Sequence, residues 1–169
     1  MSQEAVYGII FSDDRKKVLF VQRRDLPVWV LPGGGLDAEE SPSLGVVREV
    51  FEETGLKTEI VRHIATYFPI NRLTATTHLF ECTILEGTLT INAEARAFAF
   101  FSVDALPARV PPPFTFWIQD AQLNSPFCLH KNIEGVTYTS LLLHFIRHPL
   151  LVTRYLLSKI GIRYNTLQS

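Results

Sequence analysis

The sequence has few of the residues and patterns that mark disulfide-rich, zinc-binding, secreted or membrane-spanning proteins. It contains two cysteines among 169 residues, too few for a disulfide framework, and its five histidines show no Cys/His spacing typical of zinc sites. No uncharged apolar run reaches the length of about 18 residues that a transmembrane helix needs. The first residues lack the basic start and the apolar stretch of a signal peptide. These absences predict a reduced, cytoplasmic protein.

The chain has almost no excess of charge of either sign, with a net charge of −1, and its 20% of charged residues is typical of a folded soluble protein. The distribution is uneven, because residues 1–134 carry 12 basic and 17 acidic residues, whereas residues 135–169 carry four basic residues and no acidic one. Neither part is basic enough to indicate a nucleic-acid polymer as the main partner. The hydrophobic share of 47% and the chain length are typical of one folded domain with a sizeable core.

One segment carries acidic residues at fixed spacings. From Gly34 to Leu56 it reads GGLDAEESPSLGVVREVFEETGL, which is a glycine, five residues, Glu40, seven residues, and then the run REVFEETGL that begins at Arg48. A pattern with so many defined positions is far more specific than a lone glycine-rich loop.

Local signals predict that most of this segment is a helix over residues 42–54. Ser41 offers an N-cap hydroxyl, and Pro42 follows at the first helical position. Gly55 is a suitable stop, because glycine accepts the left-handed conformation past a helix end.

Three glutamates of this helix, Glu49, Glu52 and Glu53, lie at positions i, i+3 and i+4 and therefore share one face. Their mutual repulsion indicates that something positive binds between them, and carboxylate oxygens are the ligands that Mg²⁺ and Mn²⁺ prefer. The alternative is a solvated acidic face, which is the usual meaning of a short charge run.

The complete spaced pattern resembles the signature of the Nudix hydrolases. The resemblance covers roughly residues 4–121, because VWVLPGGGLD before the motif and EARAFAFFSVDAL after it are also similar to family segments. It implies an α/β fold, an α/β/α sandwich with a mixed β-sheet. It also implies Mg²⁺- or Mn²⁺-dependent hydrolysis of a phosphoanhydride bond in a nucleoside diphosphate linked to another moiety. The alternative is a Nudix-fold ligand-binding or regulatory module that has lost turnover.

The resemblance also assigns roles to individual residues. Glu49, Glu52 and Glu53 match the metal ligands and catalytic carboxylates, without deciding which of them is the general base. Arg48 matches an arginine that orients a glutamate, and Glu40 matches a structural loop glutamate. The carbonyl of Gly33 and the carboxylate of Glu94 are the further metal-ligand candidates.

Arg23 and Arg24 follow the second predicted strand and lead toward the motif. They are candidates for binding the substrate phosphates, and the alternative is a solvated strand end.

Alternating apolar residues and turn signals predict the remaining elements. The predicted strands cover residues 5–11, 17–22, 57–68, 76–85, 88–91 and 97–103, and a second helix covers residues 115–123.

The chain is expected to divide into a catalytic domain, residues 1–123, and an amphipathic helical extension, residues 124–169. Residues 150–160 combine a broad apolar face with basic residues. This helix is expected to close the core or to form a homodimer interface. The alternative is peripheral contact with a membrane surface.

Overall fold

A computed structural model describes residues 4–147 of the chain. The predicted helix over residues 150–160 lies outside the described residues. In chain order the described elements are β1 (Glu4–Ile9), β2 (Lys17–Arg23), β3 (Trp29–Val30), β4 (Gly33–Gly35), α1 (Pro42–Thr54), β5 (Leu56–Phe68), β6 (Thr76–Gly87), β7 (Ala95–Ser102), α2 (Pro112–Gln122), β8 (Leu129–Asn132) and α3 (Tyr138–Arg147).

The strands form two sheets. The larger has the order β4-β1-β6-β5-β8, and the smaller has the order β3-β2-β7. The larger sheet is mixed, because β1 is parallel to β6 and β8 is parallel to β5, whereas β1–β4 and β5–β6 are antiparallel. The predicted α/β class with a mixed sheet is confirmed.

Helices cover both faces of the larger sheet, because alternate residues of β1 belong to different core clusters. Val6 packs with Val46 and Val50 of α1. Ile9, on the other face of the strand, belongs to the cluster that contains Trp117 of α2. The resulting layers are helix, sheet and helix.

Helix α1 has the bounds that its local signals predict. The Ser41 hydroxyl accepts a hydrogen bond from the Leu44 N–H, Pro42 is the first helical residue, and Gly55 ends the helix with a φ of 78°. Helix α2 matches the predicted segment 115–123 except at its ends, because it begins three residues earlier, at Pro112, and ends one residue earlier, at Gln122.

The strand predicted over residues 88–91 is wrong. Strand β6 ends at Gly87, and the next residues run as a loop across the end of α1, where the Thr90 N–H donates to the carbonyl of Thr54 at 3.0 Å. These residues alternate like a strand, but this N–H bonds a helix end instead of a neighbouring strand.

Beyond residue 123 the structure contains α3, which lies in the extension that was predicted to be helical, and β8, which sequence patterns did not predict. Strand β8 pairs with β5, so part of the extension joins the main sheet, and the division at residue 123 stays a prediction. On α3, the side chains of Leu142, Leu143 and Ile146 are exposed. None of the helices in the described part of the chain is long and apolar enough to cross a bilayer.

Candidate active site

The carboxylates of α1 lie against the glycine strand β4. The Gly33 N–H donates to Glu53 Oε2 at 3.0 Å. A Cβ atom at Gly34 would lie 2.5 Å from a carboxylate oxygen of Glu49. Gly33 itself has a φ of 151°, and a Cβ there would collide with the carbonyl of Val6. The glycines therefore let the backbone approach the acidic face of the helix.

Glu53 is buried, and burial raises its pKa to about 7. The Gly33 N–H and the nearby Arg23 oppose this shift, whereas Glu49 and Glu94 add to it. The pKa of Glu49 is raised too, first by burial and then, against the effect of Arg48, by the neighbouring glutamates. Glu49 and Glu53 are therefore partly desolvated carboxylates, and the charge of Glu94 acts on both of them. This arrangement favours a bound cation.

Arg48 connects most of the remaining acids of the motif. Its Nε and Nη2 donate to the two carboxylate oxygens of Glu40 at 2.8 and 2.7 Å. Its Nη1 donates to Glu49 at 2.9 Å and to Glu52 at 3.1 Å, and its Nη2 also reaches the Gly35 carbonyl. The paired guanidinium holds the pKa of Glu40 at about 2. Glu40 is thus a charged anchor for Arg48.

The two candidate phosphate-binding arginines differ in their surroundings. Arg23 forms a two-pronged ion pair with Asp25, at 2.8 and 2.7 Å, and lies close enough to Glu53 to affect its pKa. Arg24 is exposed, and its Nε donates to the carbonyl of Asn92 at 3.2 Å. Arg23 is therefore at the site, whereas Arg24 braces the loop that follows β6.

That loop carries Glu94, whose charge raises the pKa of both Glu49 and Glu53. The Glu94 carbonyl accepts the Arg24 N–H at 2.8 Å. The side chain of Glu52 is more than half exposed, at 57%, and turns toward Arg48. Glu94 therefore lies near enough to Glu49 and Glu53 for its charge to act on both, whereas Glu52 is paired with Arg48 and more exposed.

The donor chemistry of this site fits a divalent cation. Carboxylate oxygens are hard ligands, and burial together with mutual repulsion raises the pKa of Glu49 and of Glu53, so a bound cation would favour their ionised forms. Among residues 4–147, no three Asp, Glu, His or Cys side chains converge on one point as ready ligands. Mg²⁺ is usually held by one or two carboxylates, with waters and substrate phosphates as its other ligands, so such a closed cage is not required.

Sequence reasoning missed two residues that shape the site. Asp25 lies two positions after Arg23, and a carboxylate so close to a candidate arginine is a local signal that was available. Asn92 bonds backbone groups of Glu52 and Glu53, which lie about 40 positions earlier in the chain, so its contacts had no local signal beyond the Asn-x-Glu spacing.

Comparison with known proteins identifies the same family that the sequence motif resembles. The family model described as NUDIX domain matches residues 1–122. The MutT-like protein of Streptomyces ambofaciens is 30% identical over 117 residues, which are 69% of this chain and 75% of that protein. The crystal structure of an ADP-ribose pyrophosphatase from Streptococcus suis is 30% identical, with a TM-score of 0.63, and the match covers 78% of this chain and 99% of that one.

The helix–sheet–helix fold and these matches place the chain in a class of hydrolases. The chain belongs to the Nudix hydrolase family. A further relative is the CMP-5'-(N-acetyl-N-hydroxy-3-aminopropyl)phosphonate hydrolase of Streptomyces rubellomurinus, 38% identical over 74 residues. This match covers 41% of the chain and 36% of that relative.

Proposed function

We propose that this protein is a Mg²⁺- or Mn²⁺-dependent pyrophosphohydrolase that cleaves a phosphoanhydride bond in a nucleoside diphosphate linked to another moiety. The observation that carries the proposal is the buried Glu53, which has a pKa of about 7 and lies beside two other carboxylates under a glycine strand. A solvated acidic face would not bury one of its acids.

The relatives support a substrate of this class. One is named as an ADP-ribose pyrophosphatase and another as a hydrolase of a CMP-linked phosphonate. Both names describe a nucleotide joined to a second group. The two relatives differ in that second group. Their names therefore support a class of substrate for this chain, a nucleotide joined to another group, but do not identify the particular compound.

The residues of the site divide the work in this proposal. Glu49, Glu52, Glu53 and Glu94, together with the Gly33 carbonyl, would hold the metal. When bound, the metal would neutralise phosphate charge and lower the pKa of a water.

One of the glutamates would accept the proton of the attacking water. Arg48 would keep Glu49 and Glu52 oriented through its hydrogen bonds to both. Arg23, held in place by Asp25, would contact a substrate phosphate. Arg24 would contact one through the guanidinium N–H groups that are not bonded to the Asn92 carbonyl.

A panel of nucleoside diphosphate sugars, ADP-ribose, dinucleoside polyphosphates and nucleoside triphosphates tests this proposal directly. We expect hydrolysis of a nucleoside diphosphate derivative in Mg²⁺ or Mn²⁺, with two phosphate-bearing products. Binding of such a ligand without turnover in either metal would instead support the non-catalytic module.

Hydrolysis should depend completely on the divalent metal. We expect a chelator to abolish turnover, because the clustered carboxylates cannot neutralise phosphate charge without a cation, and added Mg²⁺ or Mn²⁺ to restore it. Turnover is measured before chelation, after it and after metal is returned in excess. Full activity in the presence of chelator would contradict the mechanism.

For residues 149–169 we propose a structural role, either closing the core or forming a homodimer interface. Burial of the apolar side chains of this basic segment against protein is expected to contribute more free energy than the attraction of its few basic residues to an anionic membrane. We therefore expect the full-length protein to stay in solution when vesicles containing phosphatidylserine are sedimented. Co-sedimentation that weakens as salt rises would instead favour peripheral membrane contact. A cytoplasmic location is part of this proposal.

A further inference from the structure

We propose that Asn92 is a positioning residue that fixes Glu94 against the carboxylates of α1, an inference that rests on the proposed function. Its side-chain amide uses four hydrogen bonds at once. Nδ2 donates to the carbonyls of Glu52 and Glu53, both at 2.9 Å. Oδ1 accepts the N–H groups of Glu94 at 2.9 Å and Ala95 at 2.8 Å. One side chain thus joins the end of the carboxylate helix to the loop that carries Glu94.

Asn92 completes the bonding of the helix end. The last four carbonyls of a helix lack helical N–H partners. Here the Phe51 carbonyl accepts from the Gly55 N–H, and the Thr54 carbonyl accepts from the Thr90 N–H. Asn92 supplies the donors for the two carbonyls between them. These two carbonyls belong to Glu52 and Glu53, whose side chains are acids of the motif. The four hydrogen bonds of the Asn92 side chain, here called the latch, therefore set the position of the Glu94 backbone relative to these acidic residues.

The other contacts of the loop do not replace this latch. Arg24 holds the loop from the β2 side, through its N–H to the Glu94 carbonyl and its Nε to the Asn92 carbonyl. Both of these contacts connect the loop to the end of β2. The Thr90 N–H, bonded to the Thr54 carbonyl, also connects the loop to α1, but it lies four residues before Glu94. Asn92 bonds α1 and the Glu94 N–H with the same side chain, so we expect the position of the Glu94 carboxylate relative to Glu49 and Glu53 to depend on it. Groups that position ligands commonly contribute 10- to 100-fold, in rough terms, to metal affinity.

The test measures Mn²⁺ affinity of the full-length protein without substrate, by electron paramagnetic resonance of the free ion. We expect Asn92→Ala and Glu94→Gln each to weaken Mn²⁺ binding by roughly 10-fold or more. If Asn92 acts through Glu94, the double variant should bind no more weakly than Glu94→Gln alone. Losses in the two single variants that add in the double variant would overturn the inference, and so would unchanged affinity in Asn92→Ala.

Asn71 provides a matched control, because it clamps a loop in the same manner away from the carboxylates. Its Nδ2 donates to the Val136 carbonyl at 2.7 Å, and its Oδ1 accepts the Leu73 N–H at 2.8 Å. We expect Asn71→Ala to lower the unfolding temperature, as Asn92→Ala should, while leaving Mn²⁺ affinity unchanged. A loss of affinity in both variants would show a general effect of stability and would overturn the inference.

Amide hydrogen exchange separates this inference from the proposed function. In Asn92→Ala the N–H groups of Glu94 and Ala95 should exchange faster, and they should not do so in Asn71→Ala. If the unaltered protein bound no Mn²⁺, the proposed function would fall, and the exchange result would still decide whether the latch exists. Unchanged exchange at Glu94 and Ala95 would overturn the latch even if metal binds.

Discussion

Replacing Glu53 by glutamine is expected to reduce hydrolysis by roughly 10²- to 10⁴-fold while the protein stays folded. Glutamine keeps the shape of the side chain and can still accept the Gly33 N–H, so the fold loses no hydrogen bond. It removes the buried negative charge that a metal ion or the proton of an attacking water requires. Turnover of the substrate identified in the panel, in saturating Mn²⁺, measures the effect. Glu52→Gln should also lower turnover.

The same substitution should change the pH dependence of stability in metal-free buffer. Burial raises the pKa of Glu53 from 4.5 to about 7, so the folded protein keeps this proton over a pH range in which the unfolded chain has released it. Stability from this group is present below about pH 4.5 and is lost as pH rises to about 7. We expect Glu53→Gln to be more stable than the unaltered protein at pH 8, by up to about 3 kcal/mol.

Denaturant unfolding at a series of pH values, in chelator, measures this difference. Subtracting the two curves removes the titration of groups that both proteins share, so the difference should grow between about pH 4.5 and 7. Glu39→Gln is the control, because Glu39 is an exposed loop residue outside the defined positions of the motif. If Glu53→Gln unfolded where the control does not, Glu53 would be a structural residue and the proposed function would lose its main support.

The helix that carries the site was predictable from sequence because its boundary signals are local. A serine cap, a proline after it and a glycine stop each act within one turn of the chain, and α1 has the predicted bounds. The shared face of its glutamates follows from helical geometry alone. What surrounds that face does not, because burial of Glu53 depends on β4 and on a strand from the start of the chain.

The failures of prediction have one physical source, which is bonding between segments far apart in the chain. Residues 88–91 alternate as a strand does, yet their loop bonds the end of α1. Strand β8 has only four residues and lies parallel to β5 at the sheet edge, so the sequence contains no hairpin turn that would indicate it. In the sequence Asn92 is an ordinary loop asparagine, because its partner at the end of α1 lies close to it only in the folded protein.

Loss of Glu81 should destabilise the fold strongly, although this residue lies outside the carboxylate motif. It is 5% exposed, pairs with Arg15, and accepts a hydrogen bond from Arg62 Nε at 2.8 Å. Arg62 also donates to the carbonyl of Ala121 at 2.7 Å and to that of Ser125 at 3.2 Å, at the end of α2. Glu81 therefore connects the central strand β6 to the helix on one face of the sheet.

Glu81→Gln should lower the free energy of unfolding by about 3 kcal/mol, because it leaves the largely buried Arg62 without its counter-charge. Glu86→Gln is the matched control, since Glu86 lies on the same strand and its ion pair with Lys57 is exposed. We expect no measurable change there. Urea unfolding of both variants in metal-free buffer gives the comparison. Equal stability of the two variants would show that the paired arginines find water or other acceptors without Glu81, and that α2 is held by its apolar face alone.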